Sequence, residues 1–365
     1  DGEDKPGTDE GNGDGEDKDP APDDSQQKNT IVIDGKKVPF NDFADVWNQN
    51  INGKGKTKVQ LNDDIIVTSS AGTADSLCKL TEGDVTLDLN GCKLIYEYSK
   101  GRSASGSPDL IEVSGGTLTI EDSNSEGKGT VSYKGNGNYS GACIFASGGT
   151  VTVKNGTFGS NVSAPISIEN GATLNIENGT FYNTSSSGSA ITINNGKLSM
   201  TGGKVTDGSL TLYKKGDGLK VSLGVGSEFS EIKFMGTKSG SVSELLASDC
   251  GFRSSSSGNW ITDKDTLAGS GIRNVRVDKK PIKSVTLRAD PGEKEVQFSY
   301  NEGTEYTLTA VVDSIVPASE LEYEWYRIYE GGEKESVPEK EDTYEFTTSG
   351  LNAGTYEYHV CVKAG

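Results

Sequence analysis

The chain is short of apolar residues. Hydrophobic side chains make up 32% of its 365 positions, less than an ordinary globular domain carries. It has one histidine, His359, and five cysteines without CxxC or Cys/His spacing, so it lacks a zinc-ligand pattern and a histidine beside any serine or cysteine nucleophile. No metal or other cofactor is expected. An odd number of widely separated cysteines fits buried free thiols, with Cys78 and Cys92 the one pair close enough to suspect of bonding. No apolar run approaches membrane-spanning length. Positive charge is scarce as well: 35 Lys and Arg against 54 Asp and Glu leave a net charge of −19. That argues against nucleic acid and against an anionic membrane surface as partners.

Glycine is abundant, at 48 residues. Low apolar content with high glycine fits either disorder or an elongated fold whose strands each bury one face between frequent turns. Residues 1–28, DGEDKPGTDEGNGDGEDKDPAPDDSQQK, contain no aromatic or β-branched apolar side chain and read as a disordered acidic linker. Their Asp-Gly spacing lacks the bidentate Glu of a calcium loop.

The remainder is periodic. Gly116-Thr117-Leu118-Thr119-Ile120, Gly149-Thr150-Val151-Thr152-Val153, Ala172-Thr173-Leu174-Asn175-Ile176 and Gly196-Lys197-Leu198-Ser199-Met200 are short alternating strands. Val151 to Leu174 is 23 residues, Leu174 to Leu198 is 24, and Val221 follows 23 later. A second strand tracks the first at Thr130-Val131, Thr157-Phe158, Thr180-Phe181 and Lys204-Val205. A third recurs at Leu110-Ile111-Glu112-Val113, Cys143-Ile144-Phe145, Ile166-Ser167-Ile168 and Ile191-Thr192-Ile193. Three strands per turn at this period predict an all-β fold, a right-handed parallel β-helix of about seven or eight coils. Asn155-Gly156 and Asn178-Gly179, one coil apart, predict a short ladder of stacked asparagines. Asn41-Asp42-Phe43-Ala44-Asp45-Val46-Trp47 reads as an N-capped helix that places Phe43, Val46, Trp47 and Ile51 on one face, a cover for the first coil. Residues 242–247 suggest a second short helical cover at the far end.

Val85-Thr86-Leu87-Asp88-Leu89-Asn90-Gly91 with Leu94, and Leu118-Thr119-Ile120-Glu121-Asp122-Ser123 leading to Gly129-Thr130-Val131, resemble coils of pectate-lyase-like surface proteins. Glu244-Leu245-Leu246-Ala247 through Gly251-Phe252 to Asn259-Trp260-Ile261 resembles the segment closing such solenoids in surface proteins of gut Gram-positive bacteria. This resemblance, over roughly residues 31–280, implies an extracellular, cell-surface location. The tail resembles a bacterial immunoglobulin-like module: Trp325 would be its central tryptophan and residues 351–358 its tyrosine corner. Tyr358 stands where antibody-type domains have a second cysteine. The domains expected are therefore the linker 1–28, a β-helix with its cap over 29–282, and an immunoglobulin-like β-sandwich over 283–365. No leader or anchor is seen, and the module stops before a last strand, so a fragment of a longer protein is expected.

The pectate-lyase-like scaffold also carries enzymes, whose chemistry has definite requirements. Glycoside hydrolysis needs two carboxylates at the scissile bond, and β-helical polygalacturonases add Gly-His-Gly and Arg-x-Lys motifs. His359 lies in the tail, and Arg276-Val277-Asp278 and Lys215 do not supply the second motif. Asp63-Asp64 and Glu121-Asp122 lack an arginine at one-coil spacing, and strand alternation points Asp88 to solvent. A non-enzymatic role is expected.

The connections between second and third strands differ in length: 17 residues from Leu94 to Ile111, 13 from Val131 to Ile144, 8 from Phe158 to Ile166 and 10 from Phe181 to Ile191. The longer ones, 99–109, 133–141 and 182–189, should stack on one side of the rod. They carry Arg102, Tyr133, Asn136, Tyr139 and Tyr182 amid Gly and Ser, a composition suited to adaptable binding. The function expected is a monomeric bacterial surface adhesin. Its partner would be a host glycoprotein, glycan or immunoglobulin, such as mucin or a matrix protein. A polysaccharide lyase or glycoside hydrolase, and a structural stalk, are the alternatives.

Overall fold

A computed structural model describes residues 29–69, 76–98, 108–135, 141–186, 188–214, 218–236, 243–248, 250–261, 271–280, 282–290, 307–314, 318, 321–337, 344–348 and 355–364. The acidic linker read at 1–28 lies outside them.

Three short strands per coil stack into three parallel faces, and the sheet curls through 306° into a β-helix. The first face holds Lys56–Leu61, Asp84–Asp88, Thr117–Glu121, Thr150–Val153, Thr173–Ile176, Lys197–Met200 and Lys220–Leu223, one strand from each of seven coils. The second holds Ile65–Ser69, Lys93–Tyr98, Thr130–Gly135, Thr157–Ser160, Thr180–Asn183, Gly203–Asp207 and the start of Ser227–Gly236. The third holds Cys78–Leu80, Ile111–Val113, Ile144–Ala146, Ile166–Glu169, Ser189–Asn194, Ser209–Lys214 and the end of Ser227–Gly236.

The register follows the apolar repeat. Val85, Leu118, Val151, Leu174, Leu198 and Val221 occupy one position of the first face. Phe158 and Phe181 do so on the second, their rings stacked at 5.3 Å. Alternation sends every second side chain into a narrow shared interior. Each large aliphatic side chain buried there contributes about 1.5–3 kcal/mol relative to exposure, so a modest number of apolar residues suffices. Close stacking demands glycine where the third face turns into the first. Gly116 has φ +68°, and a Cβ on it would lie 2.3 Å from the carbonyl oxygen of Gly83 in the preceding coil.

Both ends are covered. Asn29–Ile33 and Lys36–Phe40 form a hairpin closed by Asp34 and Gly35, both at positive φ, and the hairpin runs antiparallel onto Lys56–Leu61. Helix Phe43–Asn50 follows, with the Asp42 carboxylate accepting from the Ala44 and Asp45 N–H groups. Phe43, Val46, Trp47 and Ile51 are buried, and the Trp47 indole N–H donates to the Lys79 carbonyl at 3.0 Å. At the other end Ser243–Leu245 forms a single 3₁₀ turn that buries Leu245. Ile272–Lys279 then pairs antiparallel with Ser227–Gly236 and with Cys250–Ser254, ending the parallel stack.

Beyond lie two three-stranded antiparallel sheets. One contains Ile282–Asp290, Thr307–Ser314 and Glu345–Thr347, and the other Lys334–Ser336, Leu321–Tyr329 and Tyr356–Ala364. They share a small core of Leu308, Ala310, Leu321, Tyr323 and Trp325, with Trp325 wholly buried. Residues 351–354 of the expected tyrosine corner lie outside the described residues. All five cysteines are free. Cys78, Cys143 and Cys250 are buried, whereas Cys92 is half-buried and Cys361 exposed, which corrects the expectation of uniform burial.

Candidate functional site

The carboxylates nearest to an enzymatic pattern sit where the first face turns into the second, and they serve the fold. Asp88 is wholly buried, which corrects its expected solvent orientation. Alternation fails because the chain is already bending, and the carboxylate folds back into the corner. It accepts the N–H groups of Asn90 and Ser123, each at 3.0 Å, and the Gln60 amide at 2.9 Å, with Lys58 3.4 Å away. Burial alone would raise its pKa; these hydrogen bonds outweigh burial and hold it below the usual carboxylate range. Asp122, also buried, accepts from the N–H groups of Gly91 and Gly129 at 2.7 Å and Asn124 at 3.2 Å. Asp64 accepts the Lys93 N–H at 2.8 Å. Glu121 pairs at 3.0 Å with both Lys58 and Lys154.

The expected asparagine ladder takes a different form. Asn155 bonds the main chain of Asp122 through both amide atoms, while Asn178 accepts from the N–H of Gly179 beside it. The result is a mixed Asp/Asn spine along this corner. His359 lies in the last strand of the C-terminal sheets, exposed, with Nε2 3.7 Å from Glu357. Burial pushes the Cys78 and Cys143 thiols well above their ordinary range, so neither supplies a thiolate near neutral pH. Among the described residues no group of three or more His, Cys, Asp or Glu is placed to hold a metal ion.

The turn from the second face to the third is the irregular one. In successive coils it comprises residues 70–77, 99–110, 136–143, 161–165, 184–188 and Gly208 alone, and in the last coil Ser227–Gly236 runs through without a break. Arg102, Asn136 and Tyr139 belong to these connections but lie outside the described residues. Tyr133 is not on a loop. Its strand extends to Gly135, and the side chain is wholly buried, a correction to its reading as a binding residue. The aromatic fills the interior beneath the long connections. Tyr182 does point outward, half-buried on the strand Thr180–Asn183. Its ring covers Gly159 on the neighbouring coil, where an added Cβ would meet the ring Cζ at 2.1 Å.

Asp109 roots this corner and carried no signal in the sequence beyond ending a loop. Its carboxylate accepts the Ala142 N–H at 2.6 Å, and its carbonyl accepts from Leu77 N–H at 3.0 Å. It thereby ties the ends of three successive connections. Burial pushes it up to about 7, assisted by Glu112 and Glu169 and opposed by hydrogen bonds from Ala142 and Ser76.

Where the corner shortens, from 184–188 to Gly208 to nothing, an open polar cavity of about 650 Å³ forms against the strand Ile272–Lys279. Asp207, Glu231 and Arg273 line it. The periodicity hid these residues, since Arg273 comes from an antiparallel strand outside the repeat. No protein-family model matches the chain, and no curated protein or solved structure matches it either.

Proposed function

We propose that this chain is a non-catalytic bacterial surface module that binds a host glycoprotein or immunoglobulin through the corner between the second and third faces of its β-helix. The observation that carries this reading is the inequality of that corner. A regular rod with seven stacked coils varies in loop length chiefly there, and stacked insertions on a rigid scaffold are where solenoids place recognition. Arg102, Asn136 and Tyr139 on the connections, with Tyr182 on the flank, are the proposed contacts. The resemblance to pectate-lyase-like surface proteins supports an extracellular setting. The C-terminal sheets would act as an immunoglobulin-like spacer.

A lyase or hydrolase is the weaker reading because Asp88, Asp122 and Glu121 are engaged by backbone N–H groups and lysines. The test is biolayer interferometry of the full chain against purified mucin, a matrix glycoprotein and immunoglobulin. Saturable binding to one of them, weakened by Tyr139→Ala or Arg102→Ala, is expected. Flat responses to all three would end the proposal. New reducing ends released from a polysaccharide would transfer it to catalysis.

A further inference from the structure

Beside Thr184, Ser185, Ser186 and Gly188 the corner steps inward, first at Gly208 and then at the unbroken strand Ser227–Gly236. The strand Ile272–Lys279 walls the far side, and the step becomes a cleft of about 650 Å³, within the usual range for small-ligand sites. Among the described lining residues there is no aromatic and no aliphatic side chain apart from threonine. Such a surface offers little to an apolar ligand. It offers hydroxyls, which both donate and accept, and fixed charges.

Those charges are arranged unevenly. Glu231, only 14% exposed, is held by Lys233 at 3.0 Å and by Arg273 at 2.9 Å, so two cations share one carboxylate. Arg273 uses Nε for that contact. Its side chain remains 69% exposed, and its two Nη nitrogens make no hydrogen bond or ion pair among the described residues. An open guanidinium edge suits one carboxylate in a bidentate grip. Asp207, opposite Tyr182 at a break in register, brings an exposed carboxylate to the same cleft. It disfavours a second anion and favours N–H or O–H donors. One carboxylate, several hydroxyls and an amide N–H on one small ligand describe an acidic amino sugar.

We infer that this cleft binds a carboxylated, N-acetylated sugar of the sialic-acid type at the end of a glycan. Arg273 takes the carboxylate, Asp207 takes the acetamido N–H, and Ser185, Ser186 and Thr206 meet the hydroxyls. Without an aromatic platform a single sugar is held weakly, and repeated presentation on a glycoprotein raises the strength. This inference rests on the binding-module reading and gives its partner a chemistry.

The test uses the full chain and 3′-sialyllactose, followed by saturation-transfer NMR and titration, with lactose and glucuronate as comparison ligands. Sialyllactose is expected to bind saturably and lactose not at all. Arg273→Ala should weaken binding at least tenfold, and Arg273→Lys, which preserves the charge beside Glu231, should fall between. Circular dichroism establishes that both variants fold. Equal binding of lactose, equal displacement by glucuronate, or an Arg273→Ala affinity within twofold of the parent would overturn the assignment. Glycoprotein capture that survives sialidase treatment and Arg273→Ala would refute the sugar while leaving the module reading intact. Loss of capture by every glycoprotein, treated or not, would remove both.

Discussion

Tyr133 meets Tyr96 of the preceding coil edge to face, ring centroids 5.1 Å apart, with both side chains wholly buried. They hold one register position of the second face, and on the next two coils that position passes to Ser160 and Asn183. The change follows the connections above. Where those are long, tyrosines fill the interior by volume. Where they are short, Ser160 and Asn183 reach loop main chain directly: Ser160 Oγ accepts the Val162 N–H, and Asn183 Nδ2 donates to the Ser163 and Ser189 carbonyls. Interior composition and loop length change together along the rod.

Tyr133→Ala should therefore act as a core deletion. The expected loss is about 3–5 kcal/mol, as for large aromatic truncations, read from urea unfolding followed by circular dichroism. A change below about 0.5 kcal/mol would place the ring at the surface and contradict this account.

Much of the scaffold was legible because alternation and a repeat of about 23 residues are consequences of strand stacking. Leu118, Val151, Leu174 and Leu198 stand in one row as their spacing predicts. The same rule misplaced Asp88, since alternation holds within a strand and lapses as the chain enters a corner. It also misread Tyr133, because a strand flanked by glycine and polar residues resembles a loop until its pairing with Lys93–Tyr98 is seen. Asp109 and Arg273 had no local signature. Their roles arise from contacts between segments far apart in the chain, which periodicity does not encode.

The corner spine separates two kinds of electrostatic contact. Asp122→Ala strips partners from the N–H groups of Gly91, Gly129 and Asn124, in a buried setting where each unmet donor costs about 1–3 kcal/mol. Lys58→Met removes only the exposed half of an ion-pair ladder and should cost less than about 1 kcal/mol. Urea midpoints for the two variants should rank in that order. A larger loss from Lys58→Met would mean that the ladder, and not the hydrogen-bonded spine, fastens the coils.

Gly159 and Tyr182 should be energetically coupled. An alanine at 159 collides with the ring that covers it, so Gly159→Ala should destabilise the parent. In a Tyr182→Ser background the collision with the ring is removed, and the same change should cost much less, with a gain from unfolded-state entropy set against it. A double-mutant cycle should show coupling of about 1 kcal/mol or more. Additive effects would place Tyr182 away from Gly159.

Asp109 gives the fold an unusual pH dependence. Its folded-state value, about 7, lies above the ordinary 3.8, so the native state holds a proton that the unfolded chain releases. The stability associated with that proton is fully present below the unfolded value and is lost as the pH rises to about 7. Asp88 and Glu121 have the opposite sense, since their lowered values cost stability only as the pH falls beneath the ordinary carboxylate range. Between these limits the Asp109 effect can be read by itself. Its titration is set by burial, by Glu112 and Glu169 nearby, and by hydrogen bonds from Ala142 and Ser76. Asp109→Asn keeps an acceptor for the Ala142 N–H and removes the charge, so the difference in urea midpoint between parent and variant isolates the carboxyl. Relative to the variant, the parent should lose stability from pH 5 to about 7 and level off above that. Because Asp109 anchors the roots of the 99–110 and 136–143 connections, binding through Arg102 and Tyr139 should weaken over the same interval in the parent and stay level in the variant. Parallel stability curves for the two proteins would show an ordinary carboxylate at 109, and the link between this corner and pH would fall with it.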